Sequence, residues 1–182
     1  TVVTGVSGSG KSSLVHDVFA KGRPEAVVVD QTQPGKTSRG SAASYIGAFD
    51  PIRKEIAKAL GTEPGLFSFN SKGACPKCGG AGTLSIEMNF LDDVRMTCDE
   101  CGGRRYKDEV LALKYKGKDI SEILAMTALE ARDFFESRDA RKRLGVLCDV
   151  GLGYLEIGQS LSTLSGGESQ RLKLASELHK EG

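Results

Sequence analysis

With 182 residues, 25 basic against 24 acidic side chains and 39% hydrophobic residues, the chain has room for one substantial core or two small domains. Aromatic residues make up 6% and tryptophan is absent, so an aliphatic core is expected. The near-neutral balance excludes a uniformly basic nucleic-acid binder, and no apolar run approaches the ~20 residues of a membrane span. With no signal peptide either, a soluble cytoplasmic protein without a membrane partner is expected.

Residues 1–4 form a short apolar run that reads as a strand. It leads into Gly5-x4-Gly10-Lys11-Ser12, after which Leu14, Val15, Val18 and Phe19 recur at the spacing of one helix face. This order of strand, glycine loop and helix suits phosphate binding. The glycines let several amides turn toward an anion, and the positive end of the helix adds to their field. Lys11 is expected to reach the β- and γ-phosphates of ATP and Ser12 to ligate Mg2+. Gly5, Ser7, Gly8, Ser9, Gly10, Lys11, Ser12 and Ser13 are the candidate ATP-binding residues. The competing reading is a glycine turn that caps an ordinary helix.

Residues 26–30 read as an apolar strand ending at Gln31, and residues 34–44 read as a loop rich in Gly, Ser and Thr. Asp50 and Pro51 predict an N-cap and a first-turn proline for a helix to about Leu60. Cys75 and Cys78, then Cys98 and Cys101 after 19 intervening residues, form two C-x-x-C knuckles, each followed by Gly-Gly. Two thiolates from each knuckle complete a closed tetrahedral set, so a structural Zn2+ is expected, with disulfides or a redox pair as the less economical readings. Between the knuckles, Leu84, Ile86, Met88 and Phe90 alternate with polar residues over 83–90, a half-buried strand that residues 94–97 can pair. The ion would then pin the base of a projecting hairpin. Cys148 is expected to be a small buried hydrophobe.

Basic residues concentrate beyond the second knuckle. Arg104, Arg105, Lys107, Lys114 and Lys116 are candidate DNA-binding residues through phosphate neutralisation, with a solvated face the equal alternative; Lys118 lies beside them and Asp108, Glu109 and Asp119 are interspersed. Arg138, Arg141, Lys142 and Arg143 form a second cluster, for which a solvated helix face is the favoured reading. Thr127 and Glu130 make a capping box for a helix through Phe134 and Phe135, and another helix covers residues 140–150. His16 and His179 fall on predicted helices, where solvated or structural roles are expected.

Ser165 and Glu168 form a further capping box around Gly166 and Gly167, whose bare amides open a helix start to an anion. Leu172, Ala175 and Leu178 are its expected buried stripe, with Arg171, Lys173 and Glu177 solvated. Taken alone, such a start is common. Following a phosphate loop, L-S-G-G-E-x-Q-R resembles the signature motif of ABC ATPases. By that resemblance, Ser165, Gly166, Gly167 and Glu168 cover a second nucleotide held by another ATPase half, and Gln31 couples ATP-bound magnesium to neighbouring domains.

Thr4 to Leu14, Val29-Asp30-Gln31, Phe67-Ser68-Phe69-Asn70, the paired knuckles, Asp149 to Tyr154 and Leu164 to Leu178 together resemble the UvrA family of bacterial excision-repair proteins. The resemblance implies an α/β fold: a partial ABC-type P-loop ATPase with an inserted α-helical signature domain bearing a zinc-binding hairpin module. The implied division is an ATPase-core part over 1–50, an inserted domain over 51–160 with its zinc module at 75–101, and the signature helix over 161–182. It also implies recognition of damaged duplex DNA in nucleotide excision repair, a UvrA homodimer, an N-terminal ATPase half as partner and loading of UvrB with ATP hydrolysis. The acidic strand that would hold magnesium is not among these residues, so no complete catalytic set and little hydrolysis by this chain alone are expected. Two alternatives remain open, a UvrA-like paralogue serving tolerance of DNA-binding drugs and a zinc-arm adaptor for protein partners.

Overall fold

A computed structural model describes residues 2–24, 26, 29, 34, 40–86 and 94–180. Gln31 and residues 87–90 lie outside the described residues, as does most of the strand expected over 26–30. The chain divides into two compact units, Thr1–Asp30 and Gln31–Gly182.

In the first unit residues 2–6 make no strand, and Gly10, with φ 83°, caps α1 (Lys11–Ser13). The chain then continues as a π-helix over Leu14–Ala20. The expected strand is therefore missing among the described residues, and the helix is wound more widely than the 3.6-residue spacing implies. Leu14, Val15, Val18 and Phe19, expected to face a core, are 39% to 65% exposed. The physical reason is that no described strand of this unit offers them an apolar surface to pack against.

The second unit is mainly helical around one core. Its first helix, α2 (Ala42–Tyr45), opens on a box between Ser41 and Ser44. In α3 (Phe49–Leu60), Phe49, Ile52, Ile56 and Ala57 recur on one buried face, and Gly61 closes the helix at φ 64°. Phe49 already lies inside the helix, so Asp50 is a first-turn acid paired with Arg53 and not the expected N-cap. Pro51 still falls in the first turn, where its missing N–H costs no helical bond.

The remaining helices are α4 (Asp108–Leu111), α5 (Ile120–Leu124), α6 (Ala128–Phe134), α7 (Arg138–Asp149) and α8 (Gly166–Lys180). Thr127 and Glu130 form the expected capping box on α6, and Asp119 with Glu122 forms another on α5. The start of α7 is fastened from a distance. Glu55 on α3 accepts from the amides of Glu136 (3.0 Å) and Ser137 (2.7 Å) and from the Tyr115 hydroxyl (2.6 Å). Burial pushes the Glu55 carboxyl up, but these three bonds outweigh it and hold the pKa below the ordinary glutamate range.

Ile52, Ile56, Ile120, Ile123, Leu144, Leu147, Leu152 and Leu172 supply the aliphatic part of the core. It is not aliphatic alone, as composition suggested. Phe49 stacks on Phe69 at 5.2 Å between ring centroids, and Tyr106 meets Phe69 edge-on at 6.2 Å. The Tyr106 hydroxyl donates to the Phe67 carbonyl (3.0 Å), which satisfies the one polar group these rings bury. A second aromatic group, Tyr115 with Phe134 and Phe135, packs at the end of α6.

That module carries β1 (Thr83–Ile86) and β2 (Val94–Thr97), antiparallel with Thr83 opposite Thr97 and Ile86 opposite Val94. The hairpin forms as the alternation predicts. Leu84 packs against the cysteines, whereas its partner Met96 is 54% exposed. Leu161, Leu164, Leu172 and Ala175 join the helical core; Leu178, expected to complete the stripe, is 48% exposed. Cys148 is half-buried, and burial raises its thiol pKa. No helix of the described residues is long and apolar enough to cross a membrane.

Candidate functional site

Cys75, Cys78, Cys98 and Cys101 converge as the spacing predicts: all four are buried and their sulfurs lie within 4.8 Å of one another. Cys75 Sγ to Cys98 Sγ is 3.9 Å and Cys78 Sγ to Cys101 Sγ is 3.8 Å. A tetrahedral zinc with Zn–S bonds of about 2.3 Å has sulfur edges of about 3.8 Å, which these two separations match, so the donor set suits that ion. The separation also rules out disulfide bonding in this arrangement, since bonded sulfurs lie at about 2.05 Å.

The two knuckles repeat one backbone geometry. Gly79 and Gly80 have φ of 57° and 81°, and Gly102 and Gly103 have 56° and 82°. At Gly80 glycine is required twice over, because a Cβ there would also lie 1.7 Å from the Phe69 carbonyl oxygen. Burial pushes the Cys101 thiol up to about 12. At Cys78 burial acts in the same direction, but the amides of Gly82 and Gly80 outweigh it and hold the thiol at about 7. The Gly82 amide donates to Cys78 Sγ at 3.3 Å.

The L-S-G-G-E segment also closes as a box. The Ser165 amide and hydroxyl each donate to Glu168 Oε2 (2.8 Å), and the Glu168 amide donates to Ser165 Oγ (3.3 Å). No atom lies within 4 Å of a Cβ placed on Gly166 or Gly167, so the first turn of α8 is open on that side. Two residues that the spacing did not single out for this site hold it. Tyr154 donates its hydroxyl to Glu168 Oε1 (2.8 Å), and Arg171, expected to be solvated, donates to the carbonyls of Gly151 (3.3 Å) and Gly167 (3.4 Å). The Ser165 amide, then the Ser165 and Tyr154 hydroxyls, hold the Glu168 pKa below the ordinary range. Nothing in the sequence period marks Tyr154, since its partner is 14 positions away.

In the other unit the phosphate-loop residues curl around Lys11. Its ammonium donates to the carbonyls of Gly5 (2.8 Å) and Val6 (2.6 Å), and Gly8 and Gly10 take φ of 79° and 83°. Ser7, Ser9, Ser12 and Ser13 line the exposed turn and first helical residues. The loop thus holds the Lys11 ammonium on its own carbonyls and leaves open space beside Gly8 and Gly10. Gln31 lies outside the described residues.

The first basic cluster is largely committed to internal partners. Arg104 pairs with Asp108 (3.3 Å), Lys107 with Glu109 (3.7 Å), and Lys114 with Asp119 (2.8 Å) and Glu122 (3.0 Å). Arg105 lies 3.7 Å over the Phe69 ring and donates to the Gly80 carbonyl (2.8 Å), tying the first knuckle to the aromatic core. Lys116 pairs with Glu136 (2.9 Å) and donates to the Phe134 carbonyl (2.9 Å). In the second cluster Arg143 pairs with Asp139 (2.9 Å), while Arg138, Arg141 and Lys142 are exposed on α7.

The box-capped helix α8 packs on α7 within the unit that also holds the four-cysteine centre, and the structural match given below places the chain among the ABC-type ATPases. Its sequence is 47% identical to UvrABC system protein A of Lactiplantibacillus plantarum over 210 residues, covering 99% of this chain and 22% of that protein. It is 48% identical to UvrABC system protein A of Streptomyces coelicolor, again over 99% of this chain and 21% of that protein. The crystal structure of UvrA2 from Deinococcus radiodurans superposes with a TM-score of 0.86 at 42% identity, covering 97% of this chain and 24% of that one. No protein-family model matches the chain. Along nearly its whole length the chain belongs to the UvrA family, and it spans about a fifth of the length of the curated relatives it matches.

Proposed function

We propose that this chain is the segment of a UvrA-type DNA-damage sensor that runs from the phosphate loop to the signature helix of one ATPase half. In this reading Lys11, Ser12 and Gln31 serve one ATP and its Mg2+, with Gly5, Ser7, Gly8, Ser9, Gly10 and Ser13 around the phosphates. Ser165, Gly166, Gly167 and Glu168 close on a nucleotide held by the N-terminal half. The inserted α-helical domain carries a structural Zn2+ on Cys75, Cys78, Cys98 and Cys101, and that ion fixes the base of the β1–β2 arm. The whole protein then pairs with a second copy, binds distorted duplex DNA through shape and deformability, and loads UvrB in cycles of ATP hydrolysis.

The observation that carries this reading is the four-cysteine centre joined to the same helical core as the signature helix, in a chain related to UvrABC system protein A over 99% of its length. Of the five basic residues proposed to meet DNA, Arg104, Lys107, Lys114 and Lys116 would have to leave ion pairs to do so.

The test is duplex binding by the full-length protein that contains this chain, with and without a bulky lesion. Affinity should fall steeply with salt and be higher for the lesion-bearing duplex. Absence of any duplex binding would overturn the reading and favour the adaptor.

A further inference from the structure

The face of α7 that carries Arg138, Arg141 and Lys142 is unclaimed by the machinery described above. Ala140, Leu144 and Leu147 point into the core, which leaves the three cations together on the opposite, exposed side at i, i+3 and i+4. Neighbouring charges are spoken for: Arg143 binds Asp139, Lys116 binds Glu136 and Arg132 binds Asp133. Arg138, Arg141 and Lys142 make no hydrogen bond or ion pair with the described residues. Arg141 acts on Asp133 only through its field, and that carboxylate is already bonded to Arg132.

Helix stability does not account for this arrangement. Arg138 is the first residue of α7, and cations in a first turn oppose the helix dipole. Arg138 and Lys142 also repel each other at i, i+4. A solvated face chosen for stability would alternate signs, as Asp139 and Arg143 do one step round the helix. Arg132, Arg138, Arg141 and Lys142 instead border an open depression of about 370 Å3, with Glu136 as its single acid, and Lys116 already neutralises that acid. The depression is shallow and unenclosed, which suits an extended polyanion better than a small anion.

We infer that Arg138, Arg141 and Lys142 on α7 form a contact surface for the phosphodiester backbone of duplex nucleic acid. This rests on the DNA-binding reading proposed above and moves the phosphate contacts from the paired residues after the second knuckle to the unpaired ones on α7. Such contacts position the duplex and carry no base sequence.

The experiment uses the full-length protein with Arg138→Gln, Arg141→Gln and Lys142→Gln combined, and measures Kd for undamaged and lesion-bearing duplex from low to moderate salt. Each lost phosphate contact should make the slope of log affinity against log salt shallower by about 0.9, uniformly across sequences. The side chains are exposed and their charges oppose the start of α7, so the melting temperature should not fall. A parallel variant, Lys72→Gln, removes an exposed lysine already paired with Glu63 and should leave the slope unchanged. Failure of the unsubstituted protein to bind duplex overturns the DNA reading itself. Intact binding with an unchanged slope in the triple variant overturns only the assignment to α7, including the case where that variant instead loses a protein partner.

Discussion

The phosphate loop and the cysteine module are both glycine-rich segments of this molecule, and they end in opposite conditions. Around Cys75, Cys78, Cys98 and Cys101 each constraint is met locally: thiols converge, Arg105 seals the knuckle to Phe69, and the cysteines are buried. Around Lys11 the turn is formed, yet the apolar residues that follow it stay exposed. A motif built to close on itself folds with its own neighbours, whereas a motif built to serve a sheet depends on what the sheet provides.

Removing the metal should give the largest effect and would break that comparison if it did not. Metal analysis should find one zinc per chain, and chelation or Cys98→Ser should unfold the module, because structural zinc supplies on the order of 10 kcal/mol of apparent folding energy. Retention of a fully ordered β1–β2 hairpin without metal would show that the module is held by packing alone. Lys11→Ala should reduce ATP affinity of the full-length protein by at least about tenfold, the loss of one charge-assisted contact. Its melting temperature should hold, since Lys11 touches only its own loop. Unchanged affinity would remove the phosphate-loop assignment.

Glu55→Ala should cost about 2–3 kcal/mol, since three donors lose a charged acceptor. Thermal unfolding measures this, and a shift under about one degree would argue against the long-range cap. Glu55 and Asp119 both titrate below their ordinary ranges, Asp119 at about 2 because Lys114, Ser121 and the Glu122 amide outweigh its burial. The folded state therefore binds fewer protons than the unfolded chain in acid. Stability from these groups is complete above their unfolded pKa values and is lost as pH falls from about 4.5 toward 2. Asp119→Asn should flatten that acid limb. Smallest is Ser165→Ala, expected to cost ~1 kcal/mol as a lost cap, with Tyr154→Phe costing less.

What was legible in the sequence follows the reach of each interaction. Thr127 with Glu130 and Ser165 with Glu168 were readable because a capping box spans three residues, and the knuckles because ligand spacing states the geometry of an ion. Glu55 was not, since the amides it caps lie 81 and 82 positions away. The commitment of Lys116 to Glu136, 20 positions on, was hidden for the same reason, whereas Arg104 and Lys114 pair with acids four and five positions away. Counting charges reveals how many acids are nearby in sequence, but not which of them a fold brings into contact. Leu178 continued the apolar period of α8 correctly and is still exposed, because a period names a face without naming what covers it.

The Glu55 clasp also sets an order of events. The cysteine pairs close loops of 23 residues, while the carboxylate of α3 must find amides 82 residues on. By loop-closure entropy alone the longer closure costs about 1 kcal/mol more. The metal module should therefore assemble first and shorten the path by which α3 and α7 meet. Folding in the absence of metal should be slower for the helical core as well as for the arm, although none of the four cysteines lies within that core's packing.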